Sequence, residues 1–288
     1  MSANDVAEPG WFRWALQHPG TSHRVQAGGI ALHYLGWSLD DDAKPALLLV
    51  HGHRAHAHWW DHVAPFLATT HRVVAMDLSG MGDSDRRGHY PRGVGAQDIV
   101  DFIAALGLGP LAVVGHSNGG LRALHACTLA PGLFQRIVAI DSYAVFKGGR
   151  HPTEPARLRG DRVYPDLAAA LGRYRLLPEQ PHVEPWVREH VARHSLREVA
   201  GGFTWKFDPL MPSGLDQEED GDTLLAGVRC PVHYVYGADS AIVDEALAQR
   251  IVRALPQGHG PIAIPGGHHH LMFDQPVALI ATLRALLA

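Results

Sequence analysis

One serine of this 288-residue chain has the surroundings that nucleophilic acyl transfer requires. Ser117 stands at the centre of a G-x-S-x-G motif, residues 115–119, directly after the apolar run 111–114 and directly before a helix-forming stretch. Glycines two positions away on either side permit a tight turn, which lifts the serine hydroxyl above the end of the strand. The free N–H groups of the helix N-terminus then face the same point. The motif therefore predicts an exposed nucleophile.

A serine hydroxyl is a weak nucleophile until a neighbouring imidazole takes its proton. Three of the 21 histidines, residues 268–270, follow an apolar segment at 261–264 near the C-terminus. A histidine on this late loop can reach Ser117 while it presents its other ring nitrogen to a carboxylate. His269 is the first candidate for the base and His268 the second. The alternative interpretation, a solvated histidine tract, suits His270 or His268 better than His269.

Strand and helix patterns alternate at short spacing along most of the chain. A strand pair is predicted at 24–39, and a continuous apolar run, typical of a strand buried on both faces, ends at residue 50. Further strands are predicted that end at residues 76, 114, 140 and 236. Helical patterns lie at 59–68, 95–106, 121–130, 244–255 and 275–287. This alternation predicts an α/β fold with a mostly parallel sheet and helices on both of its faces.

The alternation stops at 146–222, where Pro, Arg, His and acidic residues become more frequent and helical patterns cover 165–174 and 184–198. We therefore expect residues 1–145 and 223–288 to form the core and 146–222 to form an inserted helical cap. Several aromatic side chains could line a substrate pocket beneath this cap, or could simply pack the cap onto the core. They are Trp59, Trp60, Tyr174, Trp186 and Trp205, and Arg173 and Arg175 are candidates for binding a carboxylate.

These features resemble the α/β-hydrolase family from residue 24 onward. Four segments match family motifs in the family's order: 49–52, 76–84, 115–120 and the histidine segment that ends at 273–276. The resemblance implies a serine hydrolase that cleaves a carboxylic ester, or a related acyl substrate, through an acyl-enzyme. It places the base at His269, seven residues before Pro276, with His268 as the alternative. It also places the oxyanion hole at the backbone N–H groups of His53 and Asn118.

The acid departs from the family's usual pattern. The position three residues beyond Gly237, where the family usually has an aspartate, holds Ser240, and Asp239 comes one residue early. Some members, including haloalkane dehalogenase relatives, carry the acid one strand earlier. Asp141 directly follows the apolar strand that ends at residue 140, so it is available for that arrangement. We predict Asp141 as the acid and keep Asp239 as the alternative.

Rival functions make different demands on the same residues. A metallohydrolase would use the histidine-rich segment 51–58, but Ala55 occupies the position of the aspartate in the H-x-H-x-D-H pattern. We therefore expect no metal and no cofactor. A serine nucleophile also argues against dehalogenase and epoxide hydrolase chemistry, because those relatives use an aspartate. Lactone hydrolysis, C–C bond hydrolysis and cofactor-free haloperoxidase activity remain as alternatives, together with a non-catalytic ligand-binding protein on this fold.

Composition excludes further classes of function. The formal net charge of -4 and the scattered arginines do not suit nucleic-acid binding, and no apolar run approaches bilayer length. The two cysteines, Cys127 and Cys230, favour a reducing compartment, and the N-terminus has no secretory pattern, so we expect a cytoplasmic protein. The expected partner is a small acyl or ester substrate, without nucleic acid or membrane. The composition leaves a homodimer open.

Overall fold

The structure is a computed structural model that describes residues 8–147, 161–211 and 220–288. The strands are β1 Thr21–Ala27, β2 Ile30–Trp37, β3 Ala46–Val50, β4 Arg72–Met76, β5 Leu111–His116, β6 Phe134–Ile140, β7 Leu196–Val199, β8 Gly202–Trp205, β9 Val232–Gly237 and β10 Gly258–Ile264. The helices are α1 Gly10–Leu16, α2 Ala64–Leu67, α3 Val94–Leu106, α4 Asn118–Leu129, α5 Leu167–Leu171, α6 Pro185–His194, α7 Gly221–Ala226, α8 Glu245–Ala254, α9 Leu271–Asp274 and α10 Pro276–Leu287. Short 3-10 helices cover Ala57–Trp60 and Pro131–Leu133.

Eight of these strands form one sheet in the order β1-β2-β4-β3-β5-β6-β9-β10. The pairs β1–β2 and β2–β4 are antiparallel, and every pair from β4 to β10 is parallel. The prediction of a mostly parallel sheet in an α/β fold is confirmed. The sequence explains the topology, because apolar runs such as β3 suit central strands that are covered on both faces.

Successive residues of the strands point to opposite faces, and each face has its own core. In β3, Leu48 and Val50 belong to the core that includes α3, α4 and α8, whereas Leu47 and Leu49 belong to the core that includes α2 and α10. Helices therefore cover both faces of the sheet, as the sequence predicts. The sheet is held rigidly between two layers, which gives the loops at its carboxyl edge fixed starting points.

Three helical predictions differ from the structure in detail. The predicted helix 165–174 is helical only over Leu167–Leu171. The predicted helix 59–68 is a 3-10 turn followed by α2, because Pro65 has no N–H to continue a helical ladder and sits in the first turn of a new helix. The predicted helix 184–198 ends at His194. Residues from Leu196 onward pair instead with β8 in an antiparallel hairpin.

The described part of the segment predicted as the cap contains α5, α6, the hairpin β7–β8 and the start of α7. It joins β6 to β9, which are neighbours in the sheet, so the insertion does not interrupt the strand order. Residues 148–160 and 212–219 of the predicted cap lie outside the described residues. The division into core and cap remains a prediction.

None of the helices in the described ranges combines the length and the apolar composition that crossing a bilayer requires.

Candidate active site

Ser117 lies on a strained turn between β5 and α4. Its backbone has φ 53° and ψ −123°, a conformation that residues other than glycine rarely adopt. Its N–H donates to the carbonyl of Ile140 at 2.8 Å, which ties the turn to the end of β6. A Cβ at Gly115 would lie 2.6 Å from Cα of Gly120, and a Cβ at Gly119 would collide with carbonyl oxygens at the end of β3. Glycine at these positions therefore lets strand and helix approach closely.

A chain of hydrogen bonds runs from Ser117 to a buried carboxylate. The hydroxyl of Ser117 lies 3.0 Å from Nε2 of His269, and Nδ1 of the same ring lies 2.7 Å from Oδ1 of Asp141. A neutral imidazole with its proton on Nδ1 donates to Asp141 and offers Nε2 as the acceptor for the serine proton. His269 and Asp141 are buried, whereas Ser117 is half-buried and borders a cavity.

The carboxylate of Asp141 is held from several sides. Its Oδ2 accepts the N–H of Gly237 at 2.9 Å, and its Oδ1 accepts the hydroxyl of Ser240 at 2.8 Å. Asp141 itself has φ 45°, and its N–H donates to the carbonyl of Val235 at 2.8 Å. A fully buried carboxylate needs such donors, because an unpaired charge is costly to remove from water. The donors also orient Oδ1 toward the ring of His269.

The alternative acid and the alternative base lie elsewhere. Asp239 is exposed, and within the described ranges its carboxylate makes no hydrogen bond to a histidine. His268 donates its backbone N–H to Oδ2 of Asp274 at 2.8 Å, and its Nδ1 lies 2.8 Å from the same oxygen. Burial raises the pKa of the Asp274 carboxyl, and the contacts with His268 oppose that effect. His268 therefore anchors its own loop, while the next residue points toward Ser117.

The residues expected to supply the oxyanion donors border Ser117. Asn118 directly follows it as the first residue of α4. The loop after β3 passes close by, since a Cβ at Gly52 would lie 3.4 Å from Cβ of Ser117. The next residue, His53, lines the cavity, and burial, with smaller contributions from nearby charges, lowers its pKa to about 3. The ring is therefore neutral near pH 7, and neither of its nitrogens has a hydrogen-bond partner among the described residues.

A cavity of about 370 Å³ opens beside Ser117, within the usual size range of small-molecule sites. Of the aromatic residues predicted to line a pocket, Trp59, Tyr174 and Trp205 border it. Trp60 and Trp186 are not among its described lining residues. Trp60 is completely buried in the core. The ring of Trp186 packs against the rings of Phe12 and Trp11, with distances between ring centres of 4.5 and 5.4 Å. Trp186 therefore packs α6 against α1.

Sequence reasoning missed several residues that surround the site. His116 donates from Nε2 to the carbonyl of His269 at 2.8 Å and so fixes the backbone of that loop. Ser195, at the end of α6, lies 2.8 Å from Nε2 of His56 within the cavity wall. Arg54 and Lys206 also line the cavity. Ser240, the donor to Asp141, could have been found from the sequence, because it occupies the position where the family usually has its acid. The other residues reach the site only through contacts between distant segments.

The histidine-rich segment 51–58 does not converge on one point. His51 uses Nδ1 to donate to the carbonyl of Gly52 and accepts the N–H of Leu78 on Nε2, while His58 lies 2.8 Å from a carboxylate oxygen of Asp61. Within the described residues three groups have ligand atoms near enough to hold a metal, and only one of them includes a histidine of this segment, His58. They are His116, His269 and His270; His58, Asp61 and His194; and His33, Asp77 and Asp83. Only the first of these groups shares a residue, His269, with the series of hydrogen bonds that starts at Ser117.

The chain matches the family model described as the alpha/beta hydrolase family over residues 47–282. An esterase of Mycobacterium tuberculosis is 29% identical over 276 residues, which cover 92% of this chain and 88% of that protein. An sn-1-specific diacylglycerol lipase of Mus musculus is 25% identical over 268 residues, which cover 87% and 83%. The solved structure of an E-2-(acetamidomethylene)succinate hydrolase has a TM-score of 0.76 at 22% identity, with 92% of this chain and 98% of that chain covered, a likeness of fold.

Proposed function

Because the chain belongs to the alpha/beta hydrolase family, we propose that it is a serine hydrolase that cleaves a carboxylic ester, or a related acyl compound, through an acyl-enzyme. One observation carries this proposal: Ser117 Oγ, His269 and Asp141 Oδ1 form a continuous hydrogen-bond chain with steps of 3.0 and 2.7 Å. This is the arrangement that activates a serine for attack on a carbonyl carbon. The esterase and lipase among the relatives support an acyl substrate.

In the first step Ser117 Oγ attacks the carbonyl carbon, and its proton passes to Nε2 of His269. The new C–O bond gives a tetrahedral intermediate, whose negative oxygen accepts the backbone N–H groups of His53 and Asn118. Asp141 keeps the imidazole in the required tautomer and stabilises the imidazolium by its charge. The bond to the leaving alcohol then breaks, and Nε2–H of His269 returns the proton to the departing oxygen.

In the second step a water molecule attacks the acyl-enzyme. His269 takes one proton from the water, the tetrahedral intermediate forms again, and the bond to Ser117 Oγ breaks as that oxygen regains the proton. The carboxylic acid leaves and the serine is restored. All the groups that this cycle requires belong to loops at the carboxyl edge of the sheet, where ligands bind in folds of this class.

The first test is covalent labelling. A fluorophosphonate probe should modify Ser117 and no other residue, and Ser117→Ala should abolish labelling together with hydrolysis of p-nitrophenyl esters of rising chain length. Ser195 is the matched control, because its hydroxyl also lies near a histidine in the cavity wall. That hydroxyl donates to the carbonyl of Val191, and Nδ1 of His56 has no hydrogen-bond partner within the described part of the chain. Labelling should persist in Ser195→Ala.

Other outcomes would point to the alternatives. A labelled serine without turnover of esters, but with turnover of lactones or diketones, would favour a lactonase or a C–C bond hydrolase; peroxide-dependent halogenation would favour a haloperoxidase. Absence of labelling and of all hydrolysis would favour a binding protein. Loss of ester hydrolysis on chelation would favour a metallohydrolase, because the proposed cycle uses no metal.

A further inference from the structure

Arg54 has an unusual position in the cavity wall. It follows His53 in the loop after β3, and its φ of 55° is a conformation that costs energy for any residue with a Cβ. Strain of this kind persists where the surrounding structure requires it, often at functional sites. Arg54 directly follows His53, whose amide is assigned to the oxyanion hole. Because consecutive Cα atoms are about 3.8 Å apart, the side chain of Arg54 begins close to that amide.

The guanidinium of Arg54 has no carboxylate partner among the described residues. Its central carbon lies 5.2 Å from the centre of the Phe207 ring, and its Nε is buried with no hydrogen-bond partner in the ranges that the structure describes. Burial lowers the pKa of Arg54, which is the physical signature of a cation held partly out of water. A cation–π contact compensates such a charge only in part.

The other two arginines of the cavity also lack anionic partners among the described residues. Arg173 makes no ion pair or side-chain hydrogen bond in the described part of the chain, and Arg175 donates only to backbone carbonyls. Lys206, by contrast, is paired with Asp83 at 2.5 Å. None of the described residues that line the cavity is an aspartate or a glutamate. The cavity thus has a net positive charge beside the reactive serine.

We propose that Arg54, assisted by Arg173, binds a carboxylate that the substrate carries in addition to the acyl group that is cleaved. An anion in this position would supply the charge compensation that the protein itself does not provide. The planar guanidinium matches a carboxylate with two parallel hydrogen bonds, which makes arginine suited to this recognition. The proposal rests on the proposed function, and it names the substrate class as half-esters of small dicarboxylic acids.

The test compares two p-nitrophenyl esters of matched length. Mono-p-nitrophenyl glutarate carries a free carboxylate, and methyl p-nitrophenyl glutarate is its neutral counterpart. The wild type should have the higher kcat/KM on the anionic ester. In Arg54→Gln the ratio of the two kcat/KM values should fall by roughly 10- to 100-fold, the effect of one charge-assisted hydrogen bond or bidentate pair, and Arg54→Lys should be intermediate.

Two further variants control for folding and for net charge. Arg173 is exposed, so Arg173→Gln should fold normally and should still lower the ratio. Arg13, exposed on α1, lies outside the cavity, and Arg13→Gln changes the net charge equally but should leave the ratio as in the wild type. An equal ratio in the wild type, Arg54→Gln and Arg173→Gln would overturn the proposal.

A binding measurement separates this proposal from the proposed function. Glutarate should bind to Ser117→Ala in calorimetry, and Arg54→Gln in that background should weaken binding by the same roughly 10- to 100-fold. Glutarate binding without hydrolysis of any ester by the wild type would support the anion site and overturn the serine hydrolase. Hydrolysis of the neutral ester without any preference for the anionic one, and without glutarate binding, would overturn the anion site alone.

Discussion

Ser240 donates its hydroxyl hydrogen to Oδ1 of Asp141 at 2.8 Å, and the same oxygen accepts Nδ1–H of His269. Ser240 occupies the position, three residues beyond Gly237, where the family usually has its aspartate. The carboxylate instead comes from the neighbouring strand β6 and reaches across to the loop that follows β9. A serine at the vacant position is short enough to leave room for this carboxylate and can still donate to it.

Asp141→Asn should lower kcat by roughly 10³- to 10⁴-fold, because an amide cannot hold the imidazole in the required tautomer or stabilise the imidazolium. Steady-state kinetics on a p-nitrophenyl ester measures the loss, and circular dichroism checks that the variant is folded. Asp239→Asn is the matched control, since this exposed residue should leave kcat within about twofold. The reverse pattern would assign the acid to Asp239.

Ser240→Ala should lower kcat by about fivefold with little change in KM, because loss of one hydrogen bond of about 1 kcal/mol leaves Oδ1 of Asp141 less firmly placed. Ser240 also accepts the N–H groups of Ile242 and Val243, so part of the effect passes through the backbone. Ser240→Thr retains the hydroxyl and should recover most of the rate. A positioning role is refuted when alanine and threonine behave alike.

Gly119→Ala should destabilise the fold by about 1–3 kcal/mol, the usual range for overpacking, because its Cβ would collide with the carbonyl oxygens of Val50 and His51. Urea unfolding followed by fluorescence measures the change. Gly132→Ala is the control, since a Cβ there meets nothing within 4 Å and its φ is not positive. Equal stability of the two variants would show that the elbow tolerates a side chain.

Acid should destabilise the fold as the pH falls from about 6.5 to 4, because burial lowers the pKa of several histidines in the native state, among them His62 and His116. Burial lowers the pKa of His62 to about 4, although a hydrogen bond from Nε2 to the carbonyl of Met272 opposes the effect. The unfolded chain therefore binds a proton in this window before the native state does. Each such group should contribute a slope of up to about 1.4 kcal/mol per pH unit, and its contribution to stability is complete above about pH 6.5.

Urea unfolding at several pH values measures this slope in His62→Gln, in which the glutamine amide can still donate to Met272. Between pH 6.5 and 4 the slope of the unfolding free energy against pH should be lower than in the wild type by up to about 1.4 kcal/mol per pH unit, the value for one proton. His89 is exposed, so His89→Gln should leave the slope unchanged. An unaltered slope in His62→Gln would mean that this histidine does not contribute to acid sensitivity.

Much of the fold could be predicted from local patterns of residues. The run that forms β5, the glycines that flank Ser117 and the alternation of strand and helix are properties of neighbouring residues, so the sequence alone was enough for the α/β fold and for the strand-to-helix turn. The α1 helix and the β7–β8 hairpin went unpredicted, because Gly10–Leu16 and Leu196–Val199 are short and their stability depends on what they pack against.

By itself the sequence determined the fold class, the turn at Ser117 and two candidates each for the base and the acid. Only the tertiary structure decided which of them meet: the partners are 152 residues apart for Ser117 and His269, and 128 residues apart for His269 and Asp141. It also decided that Trp59 faces the cavity while Trp60 packs in the core. Contacts between distant segments depend on how the sheet is ordered and how each loop leaves it, and no local pattern of residues encodes those directions.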